Sequence, residues 1–251
     1  MTEQTGDDRA AFDASRRALA RDMAADRELA SEALRLVEWS DRYGYSYQWS
    51  WLGLPIIQMP PDIVAVQEII WESRPDLIIE TGVARGGSLL LSATVLRVLG
   101  EGHVIGIDID IRPHNRNAIE THPLGSLITL IEGSSIDAAV IGEVATEARR
   151  AKRVMVILDS NHTHDHVLRE LEIYAPMVTP GQHLVVADTV VEQLAPQVHR
   201  PRPWGPSNNP ATALAEWRPA HPEFEVSTAV ENKLLLTSSP GGYLIRRQEV
   251  G

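Results

Sequence analysis

From Leu77 onward the chain alternates short, almost wholly apolar runs with longer segments of helical spacing. The apolar runs are Leu77-Ile-Ile79, His103-Val-Ile-Gly-Ile107, Leu127-Ile-Thr-Leu-Ile131, Arg153-Val-Met-Val-Ile-Leu158 and Gln182-His-Leu-Val-Val-Ala187. Runs this short and continuous, without polar alternation, fit strands buried on both faces. Between them the spacing predicts helices over about 87–99, 138–150 and 164–175. Strands that alternate with helices in this way build a doubly wound, mostly parallel, Rossmann-like α/β sheet. Beyond a Pro-rich irregular stretch over 195–210, a helix is expected over 211–217. Phe224-Glu-Val226 and Leu234-Leu-Leu-Thr237, with the run to Arg246 after Pro240-Gly-Gly242, predict a C-terminal antiparallel edge hairpin.

Upstream of the sheet the pattern changes. Ala, Leu and Met recur at helical spacing over 9–40, as at Leu29, Ala33, Leu36 and Val37, which predicts one long helix or two shorter ones. The first eight residues carry no such pattern and are expected to be disordered. Five aromatic residues then crowd into the segment from Tyr43 to Trp51, in a chain with only 5% aromatics. That segment serves either as a clasp for the N-terminal helices or as a lid over a ligand. Asp62 is placed to cap a helix through Val64, Val66, Ile69, Ile70 and Trp71. The organisation expected is therefore an N-terminal part, 1–60, of helices and aromatic lid, followed by one sheet domain over 61–251.

Composition narrows the function classes. The chain has 251 residues and 43% hydrophobic content, enough for a full core. No apolar run approaches the roughly 20 residues that cross a bilayer, so no membrane partner is expected. The polar, acidic start lacks a charged-then-apolar leader, which points to a cytoplasmic protein. Cysteine is absent, which excludes thiolate metal sites and thiol catalysis. A net charge of −11 argues against nucleic acid as partner. The N-terminal helices have no place in the sheet and are expected to join subunits of a homo-oligomer.

The chemistry concentrates at predicted strand ends. The first strand runs into Glu80-Thr81-Gly82-Val83-Ala84-Arg85-Gly86-Gly87-Ser88. Glycines there let the backbone turn sharply and approach a ligand. A carboxylate at that place would repel a pyrophosphate, which disfavours a nicotinamide cofactor. It suits a cationic, amine-bearing ligand such as the methionine part of S-adenosylmethionine. The second strand ends at Asp108, the position that holds ribose hydroxyls in nucleotide-binding sheets. The third ends in Glu132-Gly-Ser-Ser-Ile-Asp137, suited to contacts around an adenine. Asp159 and Asp188 close the fourth and fifth, and together form a cradle for a hard cation such as Mg²⁺. His162, just behind Asp159, is a candidate general base. The competing reading of Asp159 is a cap on the next helix, shared with Thr163 or Asp165. His164 and His166 are expected to be structural or peripheral.

These motifs together resemble the cephalosporin hydroxylase-like family of class I S-adenosylmethionine-dependent methyltransferases, which includes sugar (rhamnosyl) O-methyltransferases of antibiotic biosynthesis. The resemblance runs from about Tyr45 to Arg246. Its carriers are Trp51, Gly53, Pro55, Gln58, Pro60 and Asp62, the run from Ile79 to Ser88, Asp108, Gly133-Ser134-Ser135, Asp159, His162 and His164, and Lys233 with Pro240-Gly-Gly-Tyr-Leu. It implies that 61–251 is a class I methyltransferase domain, with cofactor contacts at Glu80, Thr81, Gly82, Arg85, Ser88, Asp108, Ser134 and Asp159. It implies a metal at Asp159 and Asp188, and catalysis by His162 with Asp159. Related macrolide sugar methyltransferases carry two adjacent acids after the fifth strand. Here Ala187 precedes Asp188, one carboxylate fewer. The activity implied is methyl transfer to a hydroxyl of a deoxysugar, with a small sugar or glycosylated acceptor as partner. A hydroxylated β-lactam acceptor, or a catalytically silent cofactor-binding protein, is the alternative.

Overall fold

The computed structural model describes residues 8–196 and 200–248. The tip expected to be disordered lies outside them except for Asp8. Two helices, α1 (Arg9–Ala25) and α2 (Arg27–Asp41), form the N-terminal part. Asp26 separates them with an extended backbone, and its side chain caps α2 by accepting from the Leu29 N–H at 2.9 Å. Helix α1 buries none of its residues and leaves Phe12 and Leu19 exposed. The aromatic segment folds back on itself as a short antiparallel pair, β1 (Trp49–Trp51) and β2 (Leu54–Ile56).

Helix α3 (Pro60–Ser73) leads into the sheet domain. Its first helical residues are Pro60 and Pro61, whose rings pre-set helical φ where no N–H partner is needed. The cap position is Met59, which corrects the expectation for Asp62: that residue is two places inside the helix. Its buried carboxylate instead accepts from Thr237 Oγ1 at 2.5 Å, the Ser238 N–H at 2.8 Å, Ser238 Oγ at 3.0 Å and Tyr243 Oη at 2.9 Å. Burial pushes the Asp62 carboxyl above its usual range, against the pull of those four donors.

The sheet domain continues as β3 (Leu77–Thr81), α4 (Gly87–Leu99), β4 (His103–Asp108), α5 (Pro113–Glu120), β5 (Ile128–Glu132), α6 (Ala138–Ala148), β6 (Val154–Leu158), α7 (His164–Tyr174) and β7 (His183–Val186). It closes with α8 (Pro210–Trp217), β8 (Phe224–Val226), α9 (Thr228–Glu231) and β9 (Tyr243–Arg246). The strand order is β5-β4-β3-β6-β7-β9-β8. Strands β3 to β7 pair in parallel, while β9 runs antiparallel to both of its neighbours. The mostly parallel sheet with an antiparallel C-terminal pair is therefore the architecture that the apolar runs predict. One detail differs. The segment 234–237 is not a strand; Leu234 and Leu236 turn inward to pack against the apolar clusters around α3 and α2. The antiparallel pair does lie at the sheet edge, with β8 outermost and β9 between β7 and β8.

Alternation along each strand builds two cores. Leu77 and Ile79, Val154, Val156 and Leu158 face α6, α7 and α8, while Ile78, Met155 and Ile157 face α3, α4 and α5. Both faces are thus covered, the reason the strands read as unbroken apolar runs. Among the described residues no helix is long and apolar enough to cross a membrane.

Candidate active site

The strand order reverses between β3 and β6: from β3 the chain proceeds to β4 and β5 on one side, then returns to β6 and β7 on the other. Open sheets place ligands at the carboxyl ends of strands beside such a reversal. A cleft of about 490 Å³ lies there, lined by Gly82, Asp108 and Ser134 on one side and Asp159, His162 and Asp188 on the other. Backbone bonds continue the sheet one residue past the strand ends. The Gly82 N–H donates to Ile107 O at 2.7 Å, the Gly133 N–H to Asp108 O at 2.8 Å, the Asp159 N–H to Thr81 O at 2.9 Å and the Ala187 N–H to Leu158 O at 3.0 Å.

Sterics dictate the glycine turn. Gly82 has φ +97°, and a Cβ there would collide with the backbone carbonyl of Asp159. Gly87 opens α4 so close to β2 that a Cβ would strike the Pro55 carbonyl. Beneath the turn, Glu80 and Thr81 are fully buried and stand behind the cleft wall. One Glu80 oxygen accepts from Ser88 Oγ; the other has no partner, and neither does Thr81 Oγ1. Burial raises the Glu80 carboxyl from 4.5 to about 7, with the Ser88 bond opposing it. Asp108 closes the turn from the neighbouring strand. Its Oδ2 accepts from the Val83 and Ala84 N–H groups at 2.9 and 3.1 Å, and its Oδ1 from the Asp110 N–H at 3.1 Å. Arg85 is exposed outside the cleft wall, with Nη1 3.4 Å from His114 Nε2. Of the eight residues expected at the cofactor, Gly82, Asp108, Ser134 and Asp159 line the cleft; Glu80, Thr81, Arg85 and Ser88 do not.

Across the cleft, Asp159, His162 and Asp188 each bring one ligand atom within 4.8 Å of the others. His162 Nε2 is 3.3 Å from Asp188 Oδ2. Asp188 itself has a left-handed backbone, φ 55° and ψ 25°. That turn is pinned from β9's approach, by Thr189 Oγ1 donating to Pro240 O at 2.8 Å and the Val190 N–H to Ser238 O at 3.1 Å. The Asp159 carboxyl is held well above its usual range by burial first, then by the charges of Asp188, Glu80, Glu170 and Asp62. A buried carboxylate held up in this way, with a second carboxylate and an imidazole within reach of it, fits a divalent cation, whose charge would offset that burial and repulsion even without an acid at Ala187. Asp159 does not cap α7; the helix cap is Thr163, whose N–H and hydroxyl both bond Asn161 Oδ1.

The aromatic segment is anchored to the sheet domain and borders the cleft. Trp51 Nε1 donates to Thr94 Oγ1 at 3.0 Å on α4, and Trp49 packs edge-on against Tyr45 at 5.4 Å. Tyr45 and Tyr47 line the cleft. From the Pro-rich segment, Trp204 packs edge-on against the His162 ring at 4.8 Å; His199 lies outside the described residues.

One cluster escaped the sequence reading. His166 lines the cleft, with Nε2 3.1 Å from Ser135 Oγ and 3.3 Å from Ser160 Oγ. Ser160 in turn donates to the fully buried Glu170 at 2.7 Å. His166 and Glu170 stand four apart on the inner face of α7, a spacing that could have flagged them. His164, by contrast, anchors α8 through Thr212 Oγ1 at 2.9 Å and Glu216 at 3.2 Å.

Comparison with known proteins fits this arrangement. The Rhamnosyl O-methyltransferase of Mycobacterium leprae is 30% identical over 219 residues, covering 84% of this chain and 90% of its own. That of Mycobacterium bovis is 29% identical over 205 residues, 78% of each chain. Among solved structures, CmcI with Mg and SAM superposes with a TM-score of 0.56 at 21% identity, over 80% of this chain and 78% of that one, a likeness of fold. The family model described as Rhamnosyl O-methyltransferase/CmcI matches residues 43–247, from the aromatic segment through β9 and both walls of the cleft, and the chain belongs to that family.

Proposed function

We propose that the protein is an O-methyltransferase that moves the methyl group of S-adenosylmethionine onto a hydroxyl of a deoxysugar of rhamnosyl type, in the making of a secondary metabolite. The observation that carries this reading is the contact of Gly82 with the Asp159 backbone. It sets a nucleoside-type strand-end wall and an acid–imidazole group face to face in one cleft. Rhamnosyl O-methyltransferase relatives and the Mg- and SAM-bound CmcI support the same donor, acceptor and ion.

Asp108 and Ser134 line the wall for the ribose and adenine of the donor, and Gly82 lets its methionine part lie against bare backbone. Glu80, buried and titrating near neutrality, supplies negative charge under that turn when a cation arrives above it. His162 takes the acceptor's hydroxyl proton, and Asp188, 3.3 Å away, is placed to accept a hydrogen bond from the ring that has taken it. As the proton leaves, the hydroxyl oxygen forms its bond to the methyl carbon and the carbon–sulfur bond breaks, its electron pair neutralising the sulfonium. Trp204 holds the His162 ring edge-on and offers an aromatic face to the sugar. Asp159 and Asp188 would hold Mg²⁺, which when bound polarises a coordinated hydroxyl and lowers its pKa. Most of the acceleration comes from holding oxygen, methyl and sulfur in line, since sulfonium is already a good leaving group.

Calorimetric titration tests the donor. S-adenosylmethionine and S-adenosylhomocysteine are expected to bind in the micromolar to millimolar range and NADH not to bind; no binding of the first two at millimolar concentration sinks the reading. Turnover of rhamnosyl acceptors measured before and after EDTA tests the ion, and unchanged turnover would remove Mg²⁺ from it.

A further inference from the structure

At the outer end of the cleft the charge reverses. The inner walls carry Asp108, Asp159 and Asp188, whereas Arg200 and Arg202 line the mouth. Both guanidiniums converge on one phenol oxygen: Tyr47 Oη accepts from Arg200 Nη1 at 2.7 Å and from Arg202 Nη2 at 3.3 Å. Arg200 is compensated, since its Nη2 donates to Asp41 at 2.6 Å. Arg202 makes no ion pair with any acid among the described residues. Its guanidinium lies over Trp204, 5.2 Å from the ring centre, and Trp204 is the residue packed against His162.

Two like charges held side by side repel, and one of them is left over. In a chain of net charge −11, cations have acids to pair with nearly everywhere. A solvated arginine with no role has no reason to be stacked on an aromatic ring and hydrogen-bonded to a phenol, because both contacts cost side-chain entropy. The guanidinium fork is the group that matches an oxyanion, phosphate or carboxylate, through paired N–H donors. The path Arg202–Trp204–His162 sets this surplus charge one aromatic ring away from the proton acceptor.

We propose that Arg202, with Arg200 and Tyr47, forms an oxyanion subsite at the cleft mouth, and that the acceptor is an anionic sugar derivative carrying a phosphate or carboxylate close to the hydroxyl that is methylated. A nucleoside diphosphate sugar and a uronic acid share this chemistry; a neutral glycoside leaves the subsite empty. The inference rests on the methyl-transfer reading for its reaction but not for its anion.

The test titrates UDP, galacturonate and rhamnose into the wild type and Arg202→Gln, each with and without saturating S-adenosylhomocysteine. At least one anionic probe is expected to bind roughly tenfold or more tightly than rhamnose, and to lose most of that preference in Arg202→Gln. Whichever anion is preferred assigns phosphate or carboxylate. S-adenosylhomocysteine affinity is expected to stay within twofold in the variant, which also reports that it is folded. The proposal is overturned if neither anion outbinds rhamnose, or if Arg202→Gln weakens S-adenosylhomocysteine as much as the anions, since the arginines would then belong to the donor's carboxylate. A wild type that fails to bind S-adenosylhomocysteine counts against methyl transfer alone, because the anion preference is read on the donor-free protein as well.

Discussion

In the half of the cleft made by the ends of β3, β4 and β5, the backbone of the strand ends is hydrogen-bonded within the chain. Asp108 is taken up by three backbone N–H groups, and Gly82 and Gly133 bond back into the sheet. In the half made by β6, β7 and the 200–204 segment, titratable side chains stand within reach of one another, and Asp159 is pushed up by burial first and then by its acidic neighbours. The first half is shaped by where backbone can go, the second by which side chains are present. Backbone shape suits a ligand that never varies. Side chains suit one that differs between relatives, and they are also the parts that move protons.

The largest single effect on turnover is expected in the second half. His162→Ala is expected to lower kcat by about 10²- to 10⁴-fold while S-adenosylhomocysteine affinity changes less than twofold; steady-state kinetics with retained turnover would strip His162 of its role. In the first half, substitution is expected to cost stability before it costs chemistry. Gly82→Ala combines a positive φ with a backbone collision and is expected to lose about 3 kcal/mol or more in urea unfolding. A midpoint equal to that of the wild type would mean the turn is looser than this geometry.

The smallest effect sharpens the comparison through pH. Glu80 keeps its proton in the fold at pH values where the unfolded chain has lost it, between 4.5 and about 7. The folded state therefore binds more protons in that window, and stability falls as pH rises through it, by up to about 3 kcal/mol for this one fully buried group. Glu80→Gln is expected to flatten that decline in thermal melts without donor; a slope unchanged by the substitution would contradict it.

The sheet was legible because strands covered on both faces announce themselves as unbroken apolar runs, and Gly82, Asp108, Asp159 and Asp188 were legible because parallel strands bring all their ends to one edge. Asp62 misled because an acid near a helix start has a local use, whereas its actual partners, Thr237, Ser238 and Tyr243, lie far along the chain. Leu234 and Leu236 misled in the opposite sense: their apolarity serves packing under a turn, which looks the same as a strand in so short a run. Arg200 and Arg202 left no periodic trace, since their meaning comes from Tyr47 and Asp41 more than 150 residues away. His166 and Glu170 were masked by two nearer histidines.

The missing side chain at Gly82 has one more consequence. Nothing but main chain separates the β3 turn from the carbonyl of Asp159, so at this point only a side chain placed at Gly82 itself would press on the gap between the two walls. The spacing behaves as a fixed gauge, machined into the sheet and shared by whatever enters. Exchange of the segment around Tyr47 would then retarget the enzyme without re-tooling its chemistry, much as a jig accepts new clamps.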